Sequence, residues 1–496
     1  MRNVKLAFVV FVLALLALPW FPLPEMRIHG SERPAPLEPP ALKAMWTGKF
    51  QKAFEKWWTR HFGSRSTLLV LKNTIYDALN GGMFHAGYSG NVLQGRDGVL
   101  FEKTYVHLLF SPANTPAMRA TIKDNVAALA ALRDALARLD VPLVLIMAPS
   151  KAEVRKDALP PIWRFLAAHR EMPDPLALYT LYAQSCEAHG ILYVNSPFVL
   201  RRAGLLRDAF PDQGTHWSMY AAGLAWRNAT HLLHSQRLEH FPVADLRAPG
   251  LTTATLFQER DIANLLNVYP RYARGRLKYA VAEYGPLPPG QPPLAGLSLG
   301  DSFAWQLSAN IALSHYAHNP RLLPHWNELP DIRSFFHAIT RADFFILTYT
   351  EINLRTQRMY DEVQKLLQSL SSVLPVDWHE PTRQGQWSQD TSSLHFLNIH
   401  NGSVQFSLTI KNAQPTVTAC TVSVNGRKLT KLDVRKDALP RRVTLNIPKE
   451  YMKKGENSIA LDVEGAAVPA RLSHTSRELR LFGILCTDFA IAAEDR

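Results

Sequence analysis

Residues 118–149, MRATIKDNVAALAALRDALARLDVPLVLIMAP, decide the fold. The first two thirds carry apolar residues every three or four positions, the spacing of an amphipathic helix. The last third, VPLVLIMAP, is a continuous apolar run, as expected for a strand covered on both faces. The pairing recurs along the chain. PLALYTLYAQSCEAHG precedes ILYVN, LAGLSL runs into GDSFAWQLSANIALSHYA, and PDIRSFFHAITRA precedes DFFILTYTEIN. Such alternation predicts an α/β domain over residues 116–380, with a parallel sheet flanked by helices. From 381 to 496 the texture changes to short β-type runs such as VQFSLTI, TVSVNGRKLT and RRVTLNIP, with Asn425-Gly426 as a hairpin turn. These predict an all-β sandwich, jelly-roll-like.

The chain has 496 residues, with 55 Lys+Arg against 42 Asp+Glu and a net charge of +13. The excess is scattered and no nucleic-acid module is recognisable, so an anionic polymer or lipid fits better than nucleic acid. Residues 1–26 place Arg2 and Lys5 before an apolar run from Leu6 to Trp20. That order is a secretory signal, either cleaved or kept as a membrane anchor, and it puts the remainder outside the cytoplasm. Residues 27–115 supply a Pro-rich connector and two helices leading into the α/β domain. Three cysteines occur: Cys420 and Cys486 are candidates for a disulfide in the β-rich region, and Cys186 has the setting of a buried thiol. No Cys/His spacing suits a metal, and no cofactor is expected.

Two stretches carry chemistry. In LSLGDSF (297–303), Ser302 follows a buried strand and precedes a helix, at the edge of the sheet where α/β folds bind ligands. Backbone N–H groups of Ser302 and of the helix behind it are candidate oxyanion donors. In PDQGTHWSMY (211–220), His216 stands just ahead of a helix. A serine needs a base to act as a nucleophile near neutral pH, and histidine is the usual one.

GTHWSMYAAG followed by LGDSF resembles the SGNH-hydrolase-like domain of the alginate O-acetyltransferase family, the AlgJ/AlgX-like proteins. FEKWWTRHFGSR, VLQGRDGVLFE and LIMAPSKAEV resemble further segments of that family, in its order. The histidine block ahead of the serine block, the reverse of ordinary SGNH hydrolases, is also a family mark. The resemblance implies Ser302 as nucleophile and His216 as base in a periplasmic enzyme moving acetyl groups through an acetyl-serine to an exopolysaccharide. It implies an anionic polysaccharide acceptor, a membrane-bound O-acyltransferase as acetyl source, and other exopolysaccharide secretion proteins as partners. It implies a C-terminal carbohydrate-binding module as well. One position departs: where the family often has an acid two residues before the histidine, this chain has Gly214. Asp212 is then the candidate third member of the triad, its alternative being a solvated turn residue.

Other residues carry paired readings. Trp217 is a candidate sugar-stacking ring or a core residue. Lys151 is a candidate partner for an acceptor carboxylate or a solvated lysine at a strand end. Glu351 and Asn353 follow a strand and so reach the ligand edge, or else cap the next helix. In the β-module, Trp387 with Arg427, Lys428 and Lys431 are candidates for ring stacking and anion contact, each equally an ordinary surface residue. The same Ser-His pair also serves an acetyl-esterase or deacetylase, and a vestigial site would leave a glycan-binding subunit of a secretion complex.

Overall fold

Helix formation over Pro116–Ala137 begins from a specified end. Thr115 accepts a hydrogen bond from the backbone N–H of Met118 at 3.1 Å, and Pro116 occupies the first turn, where its missing N–H costs nothing. Ile122, Val126, Leu129, Leu132 and Leu136 form the buried stripe of this helix. The fold is given by a computed structural model. It describes Val10, Met45 and residues 47–493, other than 62–64, 80–91, 170–176, 237–240, 255–258, 269–277, 318–320, 325–331, 383, 401, 436–438 and 469–481. The expected export segment therefore lies, save for Val10, outside the described residues. Among the described residues no helix is long and apolar enough to cross a membrane.

Two short antiparallel strand pairs stand apart from the main sheet: β1 (Val92–Gln94) with β2 (Leu100–Glu102), and β5 (Gly250–Thr252) with β6 (Tyr279–Val281). The main sheet contains β3 (Leu143–Ala148), β4 (Leu192–Asn195), β7 (Gly296–Gly300), β8 (Arg321–Pro324) and β9 (Phe344–Thr350). Its order is β4-β3-β9-β7-β8, and every pairing is parallel. Buried side chains pack on both faces, with Leu143, Leu145 and Met147 in one core and Val144, Ile146 and Ala148 in the other. This is the two-sided burial that an unbroken apolar run requires. A Cβ at Gly300 would fall 2.2 Å from the Thr348 carbonyl oxygen, so glycine is what lets β7 lie this close to β9.

The C-terminal region is an antiparallel sandwich of β10 (Leu374–Trp378), β11 (Gln386–Asn398), β12 (Val404–Ala413), β13 (Ala419–Val424), β14 (Arg427–Asp433), β15 (Arg441–Ile447), β16 (Gly455–Glu464) and β17 (Ile484–Ala493). The long β11 pairs with β16 in one sheet and β17 in the other. Phe396, Phe406, Leu408, Val422 and Ile459 fill the space between the sheets. Cys420 and Cys486 lie in this core as thiols, not as the disulfide that composition suggested. Burial pushes the Cys420 thiol up to about 12, so it stays protonated and behaves as a small apolar group. Cys186 is likewise a buried thiol, in the core of the α/β domain.

The sandwich is docked on the α/β domain. Leu397 and Ile399, at the end of β11, join the core of that domain. The Arg138 guanidinium donates to the Ile399 carbonyl, and Lys454 pairs with Asp140.

Because the sheet is parallel, the ends of β3, β7 and β9 emerge on one edge, and polar residues concentrate there. Glu351 and Glu153 are both buried on that edge. Arg355 and the Ser150 hydroxyl bond Glu351, and the Tyr179 hydroxyl donates to Glu153 at 2.9 Å. Burial first, then the Glu351 charge, push the Glu153 carboxyl well above its ordinary 4.5. A carboxyl raised in the folded state contributes stability that is fully present below the unfolded value and lost as pH rises toward the folded one. Glu153→Gln stays neutral throughout. Its thermal midpoint should therefore fall less than the parent's between about pH 5 and pH 8, by on the order of 2–4 °C. Parallel pH profiles from calorimetry would contradict this origin.

Candidate active site

The histidine segment is fixed from below. Lys151, 3% exposed, sends its ammonium to the carbonyls of Asp212 at 2.8 Å and Gly214 at 2.9 Å. The Asp212 carbonyl also accepts from the Leu100 N–H at 2.8 Å, which ties the segment to β2. Lys151 is thus neither solvated nor turned toward a ligand. It is a buried cation holding two carbonyls, and its position over the Phe101 ring adds to the hold.

Asp212 does not orient His216. Its carboxylate turns to the Arg155 guanidinium at 3.0 Å, with both side chains nearly fully buried. The other carboxylate near this guanidinium, Asp157 at 3.4 Å, is largely exposed, so Asp212 is the buried counter-charge and is committed to the pair.

The acid on His216 is Asp261. Its Oδ2 lies 2.8 Å from His216 Nδ1. Its Oδ1 accepts from the Thr215 N–H and the Ile262 N–H, each at 2.8 Å. Asp261 opens a short helix, Asp261–Leu265, and the Ala263 N–H reaches back to the Gln213 carbonyl at 3.0 Å. Two segments far apart in sequence are thereby clasped around one imidazole. The carboxylate at Nδ1 assigns the proton to that nitrogen and leaves Nε2 as the basic atom. Nε2 is buried and has no hydrogen-bond partner among the described residues.

Ser302 heads the turn that carries the rings packed on this histidine. The Phe303 ring lies 4.9 Å from the His216 ring, and Trp305 stacks on it at 6.4 Å, centroid to centroid. The Trp217 indole N–H donates to the Phe303 carbonyl at 3.1 Å, so the histidine segment and the serine turn are bonded directly. Trp217 is 1% exposed and belongs to the core, not to a sugar platform. The half-buried Trp305 is the aromatic residue that borders the site from a partly open position.

Asp301 anchors the serine turn. Its Oδ2 accepts from the Thr350 N–H at 2.6 Å, the Thr350 hydroxyl at 2.7 Å and the Asn353 amide at 2.8 Å. Its Oδ1 accepts from the Phe303 N–H at 3.1 Å. Asn353 and Glu351 are hence internal supports, occupied by Asp301 and by Arg355, rather than ligand contacts. The helix behind Ser302 does not supply oxyanion donors either. The N–H groups of Phe303 and Ala304 go to Asp301, and that of Trp305 to the Ser302 carbonyl. The N–H of Ser302 itself has no partner among the described residues and is the donor the turn leaves for an oxyanion.

Glu102, the last residue of β2, accepts from the Thr215 hydroxyl at 3.3 Å. Burial, and then the nearby Asp261 charge, raise its carboxyl, while Thr215 and His216 oppose the rise. Tyr105 stands beside it and its phenol is held neutral, chiefly by burial and then by the Asp301 charge. Among the described residues no cluster of His, Cys, Asp and Glu could hold a metal ion.

The carbohydrate-module candidates do not converge. Trp387 is half-buried and meets the Phe482 ring edge-on at 5.3 Å. Arg427 lies over Tyr451 and donates to the Glu450 carbonyl, Lys428 is exposed, and Lys431 pairs with Glu464. Val424 and Leu394 share the register of Ile459, and Trp387 lies seven residues further along β11. That separates Trp387 from Arg427 by about 23 Å of strand, and from Lys431, which shares the register of Thr391, by about 13 Å.

Comparison with known proteins places this geometry. A family model described as "SGNH hydrolase-like domain, acetyltransferase AlgX" matches residues 92–284, which include His216 and Asp261. Among solved structures, the chain is similar to the O-acetyltransferase domain of Pseudomonas putida AlgJ, with 17% identity and a TM-score of 0.40, covering 55% of this chain and 99% of that one. Pseudomonas aeruginosa AlgX gives 15% identity and a TM-score of 0.40, covering 76% and 95%. A family 35 carbohydrate-binding module from an environmental isolate gives 18% identity and a TM-score of 0.15, covering 24% of this chain and 77% of that one. No curated protein matches the sequence.

The segment that the family model matches thus carries its histidine with an acid drawn from Asp261. The two aspartates separate experimentally. Asp261→Asn should lower the rate of 4-nitrophenyl acetate cleavage by about 10³–10⁴-fold with little change in thermal midpoint. Asp212→Asn should destabilise the fold by about 3–5 kcal/mol. Equal activity losses at matched folding would contradict the assignment.

Proposed function

We propose that the chain is a polysaccharide O-acetyltransferase acting outside the cytoplasm, with Ser302, His216 and Asp261 as its catalytic triad. The observation that carries this reading is the His216–Asp261 hydrogen bond beside the Ser302 turn, within a segment of the AlgX acetyltransferase type. A relic site has no reason to keep a buried imidazole with a specified tautomer and an unpartnered basic nitrogen.

The chemistry runs as a double displacement. His216 Nε2 takes the Ser302 hydroxyl proton as Oγ attacks the carbonyl of an acetyl donor. The Ser302 N–H meets the oxyanion. Collapse breaks the bond to the donor's leaving group, which recovers the proton from Nε2 and leaves acetyl-Ser302. A sugar hydroxyl then attacks the acetyl carbonyl, giving its proton to Nε2, and the second collapse returns that proton to Ser302 Oγ. Asp261 holds Nδ1–H throughout and stabilises the transient imidazolium. Trp305 is the ring on which an acceptor sugar stacks.

The acceptor is an anionic exopolysaccharide, in keeping with the net charge of +13. Acetyl reaches the site from a membrane-bound O-acyltransferase, and other exopolysaccharide secretion proteins are partners. Arg2, Lys5 and the apolar run behind them direct the chain to the periplasm, as a cleaved signal or a tether.

Incubation with 4-nitrophenyl acetate and uronic-acid oligosaccharides, read by mass spectrometry, tests this. The expected result is acetylated oligosaccharide, at a rate that Ser302→Ala and His216→Ala reduce by more than about 10³-fold. Acetate release unaffected by the oligosaccharide would make the protein an esterase. Glycan binding without any turnover would make it a binding subunit.

A further inference from the structure

An open groove of about 730 Å³ lies where the sandwich meets the α/β domain. Its walls come from the end of helix Pro116–Ala137 and from the loops joining β11 to β12 and β15 to β16. Arg138 directly precedes the chain's entry into β3, so the groove opens at the amino edge of the parallel sheet. Ser302 follows β7 at the carboxyl edge. The length of β3 alone separates the two by about 20 Å.

Four cations, Arg138, Lys449, Lys453 and Lys454, line the groove with one carboxylate, Asp134. Arg133 already pairs with Asp134, and Lys454 is held by Asp140. Lys449 and Lys453 are exposed. Two further lining residues each carry a buried polar atom without a hydrogen-bond partner among the described residues, Asn398 Oδ1 and His400 Nε2. Burial, then the Arg138 charge, lower the His400 pKa, which keeps that ring neutral near pH 7.

We propose that this groove is a second binding site for a carboxylate-bearing polysaccharide strand, remote from the catalytic serine. A simple anion answers the lysines but cannot also span to both the Asn398 and His400 acceptors with several hydroxyls. A sugar acid brings both, with its carboxylate for Lys449 and Lys453 and its hydroxyls for Asn398 and His400. Met452 and Ala137 offer apolar surface to the C–H face of a ring. Holding one part of a polymer here raises the local concentration of its remaining hydroxyls around the catalytic edge. The choice of an acidic polymer rests on the acetyltransferase reading; the groove's charge and its two unpartnered atoms do not.

Calorimetric titration of the full chain with a uronic-acid hexasaccharide tests the proposal, with cellohexaose and inorganic phosphate as comparators. Lys449→Gln/Lys453→Gln should weaken hexasaccharide binding by about tenfold, and Asn398→Leu should weaken it further. All these variants should cleave 4-nitrophenyl acetate as the parent does. Unchanged hexasaccharide binding in the variants, or binding of phosphate or cellohexaose at equal affinity, overturns the groove. Binding that the variants weaken, in a protein that transfers no acetyl, would retain the groove and remove the acetyltransferase reading.

Discussion

A single hydrogen bond, from His216 Nδ1 to Asp261, organises the candidate active site of this protein. It works because each partner is separately immobilised. Asp261 spends its other oxygen on the backbone N–H groups of Thr215 and Ile262. The histidine segment is gripped by Lys151 through two of its carbonyls, and Trp217 bonds it to the serine turn. The imidazole therefore has one orientation and one tautomer, with Nε2 left without a hydrogen-bond partner among the described residues.

The surrounding polar residues support this arrangement by bonding to one another and to the backbone. Asp301 fastens the serine turn to the end of β9, and Arg155–Asp212 neutralises a buried charge pair under the histidine segment. Such groups cost a great deal if left unpaired in a low-dielectric setting, and the Asp301 and Asp212 carboxylates are each paired. Pairing also gives rigidity, which nucleophilic catalysis needs more than it needs extra contacts.

Sequence patterning revealed the architecture because the governing interactions are local. Strand β3 reads as a buried strand from its own residues, and Thr115-Pro116 announces a helix. Ser302 and His216 stood out by their settings at strand-to-helix and loop-to-helix junctions. Asp261 did not, since its role comes from a tertiary clasp 45 residues from His216. The available signal was weak: Gly214 in place of an acid, and an aspartate opening the short apolar run DIANLL. Lys151, Glu351 and Asn353 showed the converse problem. Polar residues at the carboxyl ends of strands look like ligand contacts, and only the three-dimensional pairing reveals them as internal struts.

The most direct test of the central claim is the ring-proton NMR spectrum of His216 in protein labelled with ¹⁵N-histidine. The account predicts a strongly downfield proton on Nδ1, present in the parent and in any folded Asp212→Asn preparation, and absent in Asp261→Asn. A downfield proton that survives Asp261→Asn and disappears in folded Asp212→Asn would return the role to Asp212 and contradict the account.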